Sequence, residues 1–228
     1  MTPAPDPAGF TAPRTDAELS EFLLRACHDL RGPMRTTRIY AELLAKNGLG
    51  AGEENARPME FIVNGAATAG AVVDGISDYA LALAIDPSRF QTAFLDVILR
   101  SAMAKLAAPI RESGAQIVYG ELPEMRGDPD RLLQLFEYLL DQALRRRGTQ
   151  IKISAEQQGD GWQFTVGDNG ASIAEIERLF TPFARLHSNQ RSGPGLAICK
   201  AIVERHGGRM WAEPAAEGCS LRFTLPSG

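Results

Sequence analysis

The chain has 228 residues, 44% of them hydrophobic and 23% charged, with a net charge of −4. That is the composition of a soluble globular protein with room for one large domain or two small ones. It has no basic block, so nucleic acid is not an expected partner, and no apolar run approaches the roughly 20 residues needed to insert across a membrane.

The opening MTPAPDPAGFTAPRTD is rich in proline and lacks the charged start and apolar core of a signal peptide. Residues 1–15 are therefore expected to form a disordered tail. The three cysteines, Cys27, Cys199 and Cys219, are odd in number and have no metal-ligand spacing. They point to free thiols in a reducing, cytoplasmic setting. Any membrane-bound sensing is expected to belong to another chain or to a part not present here.

A helix is predicted from about Asp16 to Lys46, capped by Thr15 or Asp16, with Glu18 and Glu21 at the positive end of its dipole. Its apolar seam runs Leu19, Leu23, Ala26, Leu30, Pro33, Thr37, Tyr40, Leu44, in alternating steps of four and three. Pro33 removes a backbone bond and is expected to bend the helix. His28 follows Ala26 by two positions, which turns it roughly 200° from that residue and away from the seam. An off-core imidazole beside the Asp29 carboxylate is available for chemistry near neutral pH, although a solvated histidine is also ordinary on a surface. After the turn NGLGAG, a second helix is predicted from about Glu53 to Ala84, with the seam Met59, Ile62, Ala66, Ala69, Val73, Ile76, Ala80, Leu83. Two helices with one stripe each do not bury both stripes alone. Pairing of two hairpins into a four-helix bundle, as a homodimer, solves this; packing of the hairpin on the chain's own second domain is the alternative.

Asp86-Pro87 marks the expected boundary between a hairpin over 16–85 and a second domain over 86–228. Strands are predicted at Phe90–Phe94, Gln116–Tyr119, Gln150–Ala155, Trp162–Gly167, Arg209–Glu213 and Ser220–Leu225. Helices are predicted at Leu95–Leu106, Asp130–Arg146, Ala174–Leu179 and Leu196–His206. This order describes an α+β fold, a mixed sheet covered by helices. Three segments of it carry polar chemistry. VGDNGASI places Asp168 at a strand end before Asn-Gly, which is a common turn. RSGPGLAICKAIVERHGG places glycines before a helix, where backbone can approach phosphate. The helix RLLQLFEYLLDQALRRRG offers Tyr138, Gln142 and Arg145 on one polar face.

In this order, and after a His-bearing hairpin, these segments resemble the catalytic core of sensor histidine kinases over about Glu18 to Pro226. HDLRGPMR resembles the phosphoacceptor box, particularly that of phytochrome-related kinases. DNGASI resembles the first glycine box of the Bergerat ATP-binding fold, FTPFARLHS its F box with Phe183, and SGPGLAICKAIVERHGGRMWAE its second glycine box. EGCSLRFTLP resembles the closing box. The resemblance implies that His28 is phosphorylated, with Asp29 orienting its imidazole and taking its proton. It implies that Asp168 holds the adenine amine of ATP and that Gly170 leaves room for the ring. Gly193, Gly195 and the Leu196 amide would lie against the phosphates, and Arg145 would reach them. The phosphoryl group would pass to an aspartate on the receiver domain of a response regulator, a separate chain.

Some positions depart from the family pattern. Gln142 stands where the family places the asparagine that binds Mg2+, and the extra methylene alters a site that demands near-octahedral geometry. Tyr138 stands one turn upstream, large enough to crowd the metal. Ser172 and Arg191 replace glycines, and the loop between Phe183 and Gly193 is short. Two functions remain open: a two-component histidine kinase that autophosphorylates from ATP, or a histidine phosphotransferase or scaffold whose ATP site is degenerate.

Overall fold

A computed structural model describes residues 15–46, 53–146, 150–170, 180, 195–215 and 218–227, with backbone alone for 53–59. The tail over residues 1–14, the turn at 47–52 and the expected helix Ala174–Leu179 lie outside the described residues, as does the side chain of Met59.

Two long helices come first, α1 (Asp16–Lys46) and α2 (Glu53–Leu83). Thr15 and Glu18 cap α1 reciprocally. The Glu18 amide donates to Thr15 Oγ1 at 3.2 Å, and the Thr15 amide donates to Glu18 Oε2 at 3.1 Å, which satisfies two orphan donors of the first turn. The helix continues unbroken through Pro33. Its buried face differs from the expected seam: Ser20, Cys27 and Ala41 are buried against the hairpin, while Leu30, Tyr40 and Leu44 are exposed. The reason is steric. Small side chains let the two backbones approach, and Ser20 Oγ donates to the Ala80 carbonyl at 2.7 Å. The larger apolar residues lie on a neighbouring face that the hairpin itself does not cover. On α2, Ala66, Val73 and Ala80 are buried as expected, but Ile62 is exposed.

The second part contains β1 (Gln91–Phe94), α3 (Leu95–Lys105), α4 (Ala107–Ser113), β2 (Gln116–Tyr119), β3 (Glu124–Gly127) and α5 (Pro129–Arg145). β4 (Gln150–Gln158), β5 (Gly161–Asp168), α6 (Gly195–Arg205), β6 (Met210–Pro214) and β7 (Cys219–Pro226) follow. The main sheet has the order β2-β4-β5-β7-β6, with β2–β4 parallel and every other pair antiparallel; β1 and β3 form a separate antiparallel pair. Helix α4 and strand β3 were not foreseen from the sequence.

Alternation and helical spacing build one core. Along β7, Cys219, Leu221, Phe223 and Leu225 are buried and their neighbours are not, the period-two signature of a sheet covered on one face. Above it, α5 buries Leu132, Leu135, Phe136, Leu139, Leu140, Ala143 and Leu144 at helical spacing. Asp128 caps this helix by accepting from the Asp130 and Arg131 amides, and Pro129 occupies the first turn, where no donor is lost. Phe223 stacks on Phe164 at 4.7 Å and meets Phe136 edge-on at 6.4 Å.

The hairpin is joined to this core at its lower end. Ala82 and Ile85 are buried within it and Tyr79 and Leu83 pack against it. The hairpin thus meets the second part at the end of α2 and at the start of α1, where Asp16 pairs with Arg205 of α6; Phe61 and Ile62, at the far end, are exposed. Buried His206 closes the opposite side of α6. Its Nε2 accepts from the Asp128 amide at 3.0 Å, its Nδ1 donates to the Ile202 carbonyl at 2.8 Å, and its ring stacks on Phe90 at 4.5 Å.

Candidate active site

His28 lies on α1 one position after buried Cys27, which turns it about 100° off the packed face. Its side chain is 87% exposed, and its Nδ1 is 3.3 Å from Asp29 Oδ1. With Nδ1 engaged, Nε2 is the nitrogen left to react. Behind it, Arg31 reaches across to Asp74 on α2 at 3.2 Å. The three cysteines are all free and buried.

Asp168 ends β5 and is buried. Its Oδ1 accepts from the Gly170 amide at 2.9 Å, and its Oδ2 lies 3.4 Å from Arg146 Nη1. Burial pushes its carboxyl above the usual range, and the Gly170 and Arg146 contacts pull it back in part. Gly170 is held close to this pair: a Cβ there would lie 2.9 Å from Asp168 Oδ1 and 3.0 Å from Arg146 Cβ, so only glycine fits. Across the strand pair, Asp168 is in register with Cys219.

Gly195 and Leu196 begin α6, and a helix N-terminus is where backbone amides favour an anion. The ring of Tyr138 packs on Gly195, where a Cβ would come within 2.9 Å of Cδ1. The Tyr138 hydroxyl donates to Asp78 Oδ2 on α2 at 2.7 Å. Burial and that carboxylate push the phenol far above its ordinary range, so Tyr138 stays the donor. Tyr138 thus links α5, the start of α6 and the hairpin. Arg145 is exposed, and its Nε donates to Asp141, one turn back, at 2.6 Å. Phe183, Gly193, Ser172 and Arg191 lie outside the described residues.

Gln142 is half-buried on α5, one turn from Tyr138. Among the described residues no three His, Cys, Asp or Glu side chains converge on a metal position. Gln142 supplies a single neutral carbonyl oxygen, a ligand that Mg2+ accepts when phosphate oxygens and water complete the octahedron. Two participants were missed in the sequence, Arg146 and Asp78. Arg146 is one of three consecutive arginines, and nothing local says which of them is buried. Asp78 acquires its role only because α2 passes beside α5.

Residues 127–228 match the family of histidine kinase-, DNA gyrase B- and HSP90-like ATPases. Phytochrome-like protein Cph1 of Synechocystis sp. is 36% identical over 227 residues, which covers 94% of this chain. The chain spans 30% of that relative's length. Among solved structures, the catalytic domain of the histidine kinase ThkA is 26% identical with a TM-score of 0.55, covering 61% of this chain and 96% of that one. ThkA in complex with the response regulator protein TrrA matches 94% of this chain and 65% of that one, with a TM-score of 0.64 at 21% identity, a likeness of fold. No described helix is long and apolar enough to cross a membrane. The glycine-backed carboxylate, the exposed His-Asp pair and these likenesses together identify the chain as a sensor histidine kinase core of the phytochrome-related type.

Proposed function

We propose that this chain is a two-component histidine kinase that takes the γ-phosphoryl group of ATP onto His28 and passes it to a response-regulator aspartate. The observation that carries the reading is the His28–Asp29 pair, exposed on the hairpin with Nδ1 engaged and Nε2 open. In the reaction, Nε2 attacks the γ-phosphorus. A nitrogen–phosphorus bond forms, the bond to the bridging oxygen breaks, and ADP leaves. Asp29 holds Nδ1–H and stabilises the charge that develops on the ring. Asp168, backed by Gly170, receives the base; Gly193, Gly195 and the Leu196 amide receive the phosphates, with Phe183 and Arg145 beside them. Mg2+, when bound, would neutralise triphosphate charge, and Gln142 is the side chain that would hold it.

The domain division follows: a tail over 1–15, a hairpin over 16–85 that pairs with a second copy into a four-helix bundle, and an ATP-binding domain over 86–228. The uncovered Leu30, Tyr40, Leu44, Phe61 and Ile62 support the homodimer. The partner is a receiver domain, the class of protein bound by the ThkA relative. The free cysteines favour a cytoplasmic location.

A second reading, phosphotransfer without ATP, is favoured by one observation: Tyr138 fills the space against Gly195 and is tied to Asp78. Incubation with γ-labelled ATP and Mg2+, beside His28→Ala, decides between them. Acid-labile label that disappears in His28→Ala is expected. Label obtained only from a phosphorylated receiver would replace the first reading with the second. Restoration of weak labelling by Gln142→Asn would locate the limitation at the metal.

A further inference from the structure

We propose that Arg146 is a built-in competitor of the nucleobase, holding the carboxylate oxygen of Asp168 that a base amine needs, so that nucleotide binds only by displacing it. This rests on the reading of Asp168 as the base-binding group.

A base amine entering this pocket needs a carboxylate oxygen as acceptor. Asp168 Oδ1 already accepts from the Gly170 amide at 2.9 Å, and Oδ2 faces Arg146 Nη1 at 3.4 Å. The two side chains are 4% and 10% exposed, so Oδ2 is shielded from solvent and has the guanidinium as its charged neighbour. Arg146 is held there by its surroundings. It directly follows α5, and its amide bonds back to the Gln142 and Ala143 carbonyls. Its own carbonyl and Cβ lie against Gly170. Cys219, in register with Asp168, is buried beside the same guanidinium, which pulls its raised thiol pKa back in part. An ion pair between two buried side chains engages the carboxylate more strongly than a neutral amine donor does. Binding therefore exchanges a strong contact for a weaker one at this point, and the nucleotide is held less tightly than Asp168 alone would allow.

Titration calorimetry on the intact chain with adenosine 5′-(β,γ-imido)triphosphate and Mg2+ tests this. Arg146→Ala and Arg146→Met are expected to bind at least about tenfold more tightly than the unaltered chain, and Asp168→Asn placed in the Arg146→Ala background is expected to abolish the gain. Equal or weaker binding by both Arg146 variants, with Asp168→Asn still weakening the unaltered chain, overturns the competitor and leaves the base site standing. Binding unaffected by Asp168→Asn removes the base-site reading itself, and the competitor with it. Absence of binding in all chains overturns the competitor as well. Should the variants fold poorly, the Arg146 Nε–H signal in a nitrogen-15 spectrum of the unaltered chain provides the second measurement. It is expected to shift at saturating nucleotide, and an unmoved signal overturns the proposal.

Discussion

Helix α1 of the hairpin buries Ser20, Cys27 and Ala41 and leaves Leu30, Tyr40 and Leu44 in solvent; helix α5 of the sheet domain buries its whole apolar face, from Leu132 to Leu144. The same contrast holds for the histidines. His28 on the hairpin is 87% exposed with one carboxylate neighbour, whereas His206 in the sheet domain is buried with both ring nitrogens bonded. A region whose apolar surface is satisfied within one chain can bury polar groups and hold them in fixed pairs. A hairpin that leaves apolar surface uncovered within one chain keeps His28 in the open. Burial is therefore concentrated in the sheet domain and accessibility in the hairpin, and Tyr138–Asp78, Arg205–Asp16 and the burial of Ala82 and Ile85 tie the two together.

Perturbing the sheet core should break the contrast most strongly. Phe136→Ala removes a fully buried ring that meets Phe223, and is expected to lower unfolding free energy by about 3–5 kcal/mol, read by urea denaturation. A smaller loss from that change than from Leu30→Ala on the hairpin would reverse the comparison. Tyr138→Phe deletes one hydrogen bond to a carboxylate and keeps the ring on Gly195. It is expected to cost about 2 kcal/mol, and faster amide exchange at the lower end of α2 would show that the tie had been lost. Acidification acts on His206. Burial holds its pKa below the ordinary 6.5, because charging the ring away from water is costly, and the Ile202 carbonyl and Asp128 offset this only in part. The unfolded chain then takes up the proton first, so stability is full above pH 6.5 and is lost as pH falls through the lower folded value. Unfolding curves from pH 7.5 to 5 should show this step, and His206→Gln should remove it. The smallest effect is expected on the hairpin surface. Arg25 pairs with Glu21 in solvent, and Arg25→Ala should leave the denaturation midpoint unchanged.

Much of the fold was legible because it rests on period and capping. The limits of α1 match, and the strands of the main sheet were placed by alternation. The short elements α4 and β3 escaped because Ala107–Ser113 carries an internal proline and Glu124–Gly127 is mostly charged or small, so neither shows a clear pattern. On α1 two adjacent faces look alike in sequence: the one with Ser20, Cys27 and Ala41 packs within the hairpin, and the expected seam with Leu30, Tyr40 and Leu44 is left uncovered in the single chain.

The site divides in the same way. By itself the sequence determined the chemistry: a histidine followed by aspartate on an outward helix face, an aspartate at a strand end before glycine, and glycines leading into a helix. These are local properties, written in neighbouring residues. Only the tertiary structure decided how those groups are engaged. Arg146 reaches Asp168 because the end of α5 comes to the end of β5, and Tyr138 reaches Asp78 because α2 packs beside α5 and α6. Contacts between residues 22 and 60 positions apart depend on where helices come to rest, and that placement is set by burial of the shared core rather than by any local signal.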